Sequence, residues 1–355
     1  MGTSNHEALI QAVQRNCHIS DAQFAGDLTL CTFLLKMREL YRWENRIPLS
    51  REMPRAEVGD WMNQRSQMWD GIELADYEPL PLAAGPVDPF ESGRINDELL
   101  QQGLVYSGGY GRHCKPHFFL AELASQERRH GFDILVSGRE LARDLEAPPG
   151  MYLDRTLFIR TEALRRWLWE KYEEWRWNRK NEAMARAFAA YPFESDPEAA
   201  LDAMVATERE SVILHELGEA RVGELLGEAW EKLMLEVMRS RAEIIVRAVR
   251  DLYADCLSTL PGLLERRNPA PLHFYFANLV GMRRKLAPDL AQAYQDWVEG
   301  GDLSGLAASV EAQLSHWQDT ARAMLDLHAQ RGEGVAEAIE ARWAPRLSVP
   351  GVRTT

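Results

Sequence analysis

The chain has 355 residues, 46% of them hydrophobic and 27% charged, enough for two domains with sizeable cores. Its formal net charge of -13 argues against nucleic acid, which needs a basic surface to displace counterions, and against anionic membranes. No apolar h-region follows a basic stretch at the start, no run approaches the roughly 18 apolar residues of a membrane span, and Cys17, Cys31, Cys114 and Cys256 show no CxxC spacing, so a cytoplasmic protein with reduced thiols is expected.

Residues 1–105 read as mainly helical. Ser20 is the expected N-cap of a helix over 21–43, on which Phe24, Leu28, Cys31, Leu35 and Leu40 fall near one stripe, and a second helix follows Pro54. The prolines of 78–86 remove backbone donors and predict a loop. Between 106 and 160 the texture changes: 107–112 is glycine-rich, 132–136 and 153–160 have strand character, and 138–145 reads as a short helix between them. Thr161 caps a helix carrying Trp167, Trp169, Trp175 and Trp177, which breaks at 191–197. One very long helix or two in line are expected over 198–258, a break over 261–271, and further helices near 272–285, 288–299, 303–330 and 333–343. The predicted fold is mostly α: an N-terminal, mainly helical domain over 1–195 with a small α/β element near 106–160, then a C-terminal α-helical bundle over 196–345 and a disordered tail at 346–355.

His215-Glu216-Leu217-Gly218-Glu219 is the motif with most chemistry in it. Helical residues four apart share a face, so His215 and Glu219 can ligate one divalent metal while Glu216 activates a bound water, as in the HExxH hydrolases. A carboxylate in place of the second histidine hardens the donor set, so Mn²⁺ or Fe²⁺ competes with Zn²⁺. Glu208 and Ser211 extend the polar stripe towards the N-terminus. Packing explains the same residues in another way: Gly223 and Gly227 continue the four-residue series, and each glycine in a helix costs about 1 kcal/mol unless a neighbour approaches closely.

A second candidate is the glycine-rich stretch Gly108, Gly109, Gly111 and Arg112, expected to precede a helix over 118–123 and to offer backbone N–H groups to a small anion. His113 and His117 follow at ligand-compatible spacing and are candidate third metal ligands. Glu127–His130 has the ExxH spacing of di-iron bundles, but no second ExxH accompanies it. His316 and His328, on a late helix, are further candidates for a third ligand.

Three stretches (108–123, 138–149 with the Trp-Glu-Lys-Tyr-Glu-Glu-Trp-Arg-Trp helix, and 215–220) together resemble an uncharacterised bacterial family of mostly helical cytoplasmic proteins, a domain of unknown function. That resemblance implies a two-part organisation and no particular activity. Three functions are therefore carried forward: a metal-dependent, hydrolase-like enzyme built on the HExxE helix; a non-enzymatic scaffold or interaction protein, with self-association left open; and a binder of a small anionic ligand at 107–112.

Overall fold

Two compact units make up the computed structural model, which describes residues 3–111 and 114–344. The units interleave along the chain. The first comprises 1–174 and 191–213, the second 175–190 and 214–355. About two-thirds of the molecule is helical, 66%, in keeping with the mostly α expectation, and the departures concentrate between 80 and 160.

In the first unit, α1 (Thr3–Phe24), α2 (Leu30–Glu44) and α3 (Arg55–Asp70) precede a two-stranded hairpin, β1 (Leu80–Leu82) with β2 (Gly85–Val87). Ser20 lies inside α1, its hydroxyl donating to the Pro116 carbonyl, and Thr29 caps α2 instead. The proline-rich loop expected at 78–86 is this hairpin: Pro81 and Pro86 face each other across a ladder too short to need their missing donors. Helix α4 (Ser92–Leu99) leads into a five-stranded sheet of β3 (Leu104–Tyr110), β4 (Pro116–Arg129), β5 (Phe132–Arg143), β6 (Gly150–Leu153) and β7 (Thr156–Arg160). The strand order is β3-β4-β5-β7-β6, antiparallel except for the parallel β5–β7 pair.

This sheet corrects three local expectations. Residues 118–123 and 138–143, within stretches read as helices, are strand, as is most of the glycine-rich stretch. Strand character at 132–136 is met by β5, the stretch 153–160 divides between the end of β6 and β7, and β5 and β7 pair in parallel with β6 rather than a helix between them in sequence. Leu, Ala, Glu and Arg along β4 favour helix weakly, and burial of both strand faces overrides them. Phe118 and Leu120 pack with Leu9, Val13 and Cys17 of α1, whereas Phe119 and Ala121 pack with Leu135 and Phe158 on the opposite face. Register shifts between Leu120 and Ser125 interrupt the β4–β5 ladder and curl the sheet. Helix α5 (Thr161–Trp177) starts directly at the end of β7. Later residues complete this unit: Phe193 stacks on Tyr172 at 4.1 Å, and Glu210 of α7 (Pro197–Glu236) accepts from Arg129.

The second unit is an all-helical bundle, as the patterning predicts. It contains α6 (Glu182–Phe188), the later part of α7, α8 (Arg241–Ala254), a π-helical turn over Asp255–Thr259, α9 (Leu260–Glu265), α10 (Pro269–Asn278), α11 (Gly281–Leu286), α12 (Pro288–Gly300), α13 (Leu303–Arg331) and α14 (Val335–Trp343). Caps fix several boundaries: Ser240 accepts from the Glu243 N–H at the start of α8, Asp302 from Ser304 at the start of α13, and left-handed Gly301 ends α12. Val246, Val249, Leu252, Leu260, Trp317 and Met324 are fully or almost fully buried in one core. The tail expected at 346–355 lies outside the described residues.

Candidate functional site

His215, Glu216 and Glu219 lie on α7 in the second unit, and the i,i+4 geometry does bring His215 and Glu219 together. Their Nε2–Oε1 distance is 3.2 Å, and the other ring nitrogen, Nδ1, is 3.0 Å from Asp255 Oδ1. Asp255 arrives from the π-helical turn after α8. Its Oδ1 also accepts from Thr259, and its Oδ2 accepts from Tyr275 and Arg283. Arg250 closes the other end by donating to Glu219 Oε2 at 2.8 Å. Burial opposes the charged imidazole, yet hydrogen bonds to Asp255 and Glu219 hold the His215 pKa well above its ordinary value. Asp255 is likewise held low despite burial, by His215 and Arg283.

The donor chemistry of a metal centre does not fit this arrangement. A histidine ligand must offer a lone pair, whereas both His215 nitrogens face carboxylates as in an imidazolium, and arginines already neutralise both carboxylates. Among the described residues no three His, Cys, Asp or Glu side chains converge as a metal site would require. Neither late-helix histidine joins the cluster: His316 packs edge-on against Trp317, and His328 pairs with Glu236 at 3.1 Å. Glu216 is half-buried, and burial pushes its pKa up to about 7.

The packing account holds with a different glycine. Gly223 and Gly227 have open space around them, and Gly227, with φ 60°, kinks α7. Gly218, inside the motif, takes the close approach: a Cβ there would lie 2.6 Å from the Ala254 carbonyl oxygen.

The glycine-rich stretch belongs to the first unit and is engaged in sheet structure. Gly108 donates to Ser92 Oγ, Gly109 pairs with His117 across the β3–β4 ladder, and Gly111 donates to the Lys115 carbonyl. Its amides are therefore not gathered to cradle an anion. Gly111 is there for a steric reason, since a side chain would run into the His117 ring. Arg112 and His113 lie outside the described residues. His117 is buried, with Nδ1 2.6 Å from Asp144 Oδ2 and Nε2 3.6 Å from Glu146, again between two carboxylates rather than beside a vacant coordination point. Lys115 pairs with buried Asp21 at 3.1 Å, and Asp21 also accepts the Leu145 N–H. The Glu127–His130 pattern falls at the β4–β5 hairpin, with His130 left-handed at φ 51°, so its two side chains do not share a helix face.

A cleft of about 850 Å³ in the first unit was not foreseen. It is bounded by α1, the end of α2 and the loop after it, the end of β5, and the start of α5. Six arginines and five glutamates line it, with an apolar wall from Trp43, Ile47 and Leu141. Arg143 is only 2% exposed, its guanidinium carbon lies 5.6 Å from the Trp43 ring, and Nε donates to the Asp144 carbonyl. Its Nη2 is buried with no hydrogen-bond partner, and so is Nη1 of Arg166. Behind the wall, Arg160 pairs with Glu140 at 2.7 Å, lies over the Phe119 ring, and leaves both Nη atoms unpartnered. Burial, and then the neighbouring Arg166, bring the Arg143 pKa down to about 9. No sequence motif announces this cleft, because 139–143 reads as a charged helix, whereas the register shift of the β4–β5 ladder at Leu120 and Ala121 leaves both Glu140 and Arg143 buried.

Two domain profiles match the chain, the N-terminal and C-terminal domains of a family of unknown function (DUF6866), over residues 8–160 and 165–346. The chain belongs to this family. The two-part organisation implied by the resemblance is thus met at the level of family domains. No curated protein and no solved structure matches the chain. Among the described residues, no helix is long and apolar enough to cross a membrane.

Proposed function

We propose that this DUF6866 family member binds a small organic anion in the cleft of its first unit. The observation that carries the reading is Arg143, a guanidinium almost wholly removed from water with a donor nitrogen that nothing in the protein accepts. Buried charged donors are strongly disfavoured unless paired, and Arg143, Arg160 and Arg166 oppose one another here. An anion would relieve that opposition and accept the unused N–H groups of Arg143 and Arg166, which line the cleft. The volume falls within the range of about 300–1,000 Å³ usual for small-molecule sites, and the mixture of an apolar wall with a few converging polar groups is also typical. Of the three functions carried forward, anion binding is the one the geometry supports, at the cleft and not at 107–112.

Thermal denaturation of the full chain against a panel of organic carboxylates and phosphate esters tests the proposal. A ligand at a hundredfold over its Kd adds about 2.7 kcal/mol to stability. The Arg143→Met variant should lose that response while its own melting temperature stays level or rises, because a buried, incompletely paired charge is replaced by an apolar side chain. No response to any anion by the wild-type protein, or an equal response from the variant, would count against the reading.

A further inference from the structure

The acceptors in the cleft narrow the ligand's chemistry beyond its charge. Resting on the anion reading, we infer that the ligand is a monocarboxylate with a neighbouring hydroxyl or amino donor, and not a phosphate ester. Six arginines against five glutamates give the lining only a small positive excess, suited to a ligand with a single carboxylate. A phosphate monoester, at roughly −1.5 to −2, would over-compensate it. The guanidinium fork of Arg143, with Nη1 of Arg166, offers planar donors suited to two carboxylate oxygens.

The second half of the argument comes from two carboxylates in the same lining. Glu39 Oε2 is 3.3 Å from Arg42 Nε, and Glu140 Oε2 is 3.9 Å from Arg143 Nε, both ion pairs without hydrogen-bond geometry. Both oxygens are buried acceptors in want of an N–H or O–H. Glu39, whose side chain is 12% exposed, would repel the extra anionic oxygens of a phosphate while accepting from a ligand hydroxyl or ammonium, whereas Glu140, with no exposed side-chain surface, backs Arg143 and Arg160. Glu39, Arg143 and Arg166 all line the same cleft, so donors and acceptor belong to one site. Trp43, Ile47 and Leu141 remain for the carbon skeleton.

Calorimetry on the full chain with four probes sharing one branched skeleton separates the outcomes: 2-hydroxy-4-methylvalerate, leucine, 4-methylvalerate and isopentyl phosphate, with a wider set of 2-hydroxy and 2-amino acids to cover skeleton size. The hydroxy or amino acid should bind about tenfold more tightly than its plain carboxylate, the worth of one satisfied buried acceptor. Glu39→Gln should reduce that preference to about twofold, while the plain carboxylate, relieved of a like charge, binds at least as tightly as to the wild type. Tighter binding of the phosphate ester, or no preference for the added donor, overturns this inference and leaves the anion reading standing. No binding by any of the probes, phosphate included, would remove both.

Discussion

Asp255 in the second unit and Arg143 in the first are both buried charges at the centre of an ionic network, and the two networks are completed to very different degrees. Each Asp255 oxygen accepts two hydrogen bonds, each His215 nitrogen meets a carboxylate, and each Glu219 oxygen has a cation. Around Arg143 the count is shorter: its Nη2, both Nη atoms of Arg160 and Nη1 of Arg166 have no acceptor, against Arg250 Nε around Asp255. A completed network holds helices in place. An incomplete one, beside a cleft, has capacity left for a ligand. Chemical suggestiveness in the sequence ran the other way, since the HExxE motif is the completed site and the cleft has no motif.

The sharpest test of the completed network is removal of its centre. Asp255→Ala strands His215, Arg283, Tyr275 and Thr259 together and should cost about 3–5 kcal/mol, read as a lower urea midpoint. A loss under about 1 kcal/mol would break the contrast with Arg143→Met.

Glu208, in the first unit, extends the theme of incompleteness to a carboxyl. It is 2% exposed, its Oε1 has no hydrogen-bond partner, and burial pushes its pKa up to about 7. The folded chain thus holds a proton that the unfolded chain releases in the usual carboxylate range. Its stabilising contribution is whole below that range and is lost as pH rises through about 7. Glu208→Gln should therefore gain on the wild type between pH 5 and 8, by up to roughly 3 kcal/mol in paired urea titrations. A pH-independent difference would show that this carboxyl is charged throughout.

Smaller effects separate the glycines of the motif helix. Gly218→Ala forces a methyl against the Ala254 carbonyl and should cost about 1–3 kcal/mol. Gly223→Ala meets open space within a helix and should stabilise by about 0.5–1 kcal/mol. Equal shifts in melting temperature for the two would undo the packing account of HExxE.

These residues also show what could be read in advance. The pairing of His215 with Glu219 follows from helical spacing alone, and the C-terminal helices follow from caps and periodicity. Asp255 was out of reach because it lies forty residues from His215 and is brought over by tertiary packing. Arg143 and Glu140 were misread for a different reason. In a run such as Gly138–Leu145 the composition favours helix, and only the neighbouring strands β4 and β7 establish which side chains turn inward. His117, expected from its spacing as a third metal ligand, instead meets Asp144, which lies across the sheet connection and not in the glycine-rich loop.

The interleaving of the two units bears on how the chain emerges from the ribosome. Synthesis to residue 174 delivers the curled sheet and its helices, yet Phe193, Glu198 and Glu210, which stack on Tyr172, bind Ser50 and Arg165, and bind Arg129, have not been made. The first unit must therefore wait, with Tyr172 uncovered, while a segment of the second unit is translated ahead of its own missing piece. Nascent chains halted near residue 175 and near residue 250 would differ in protease resistance for that reason, although the sheet is complete in both.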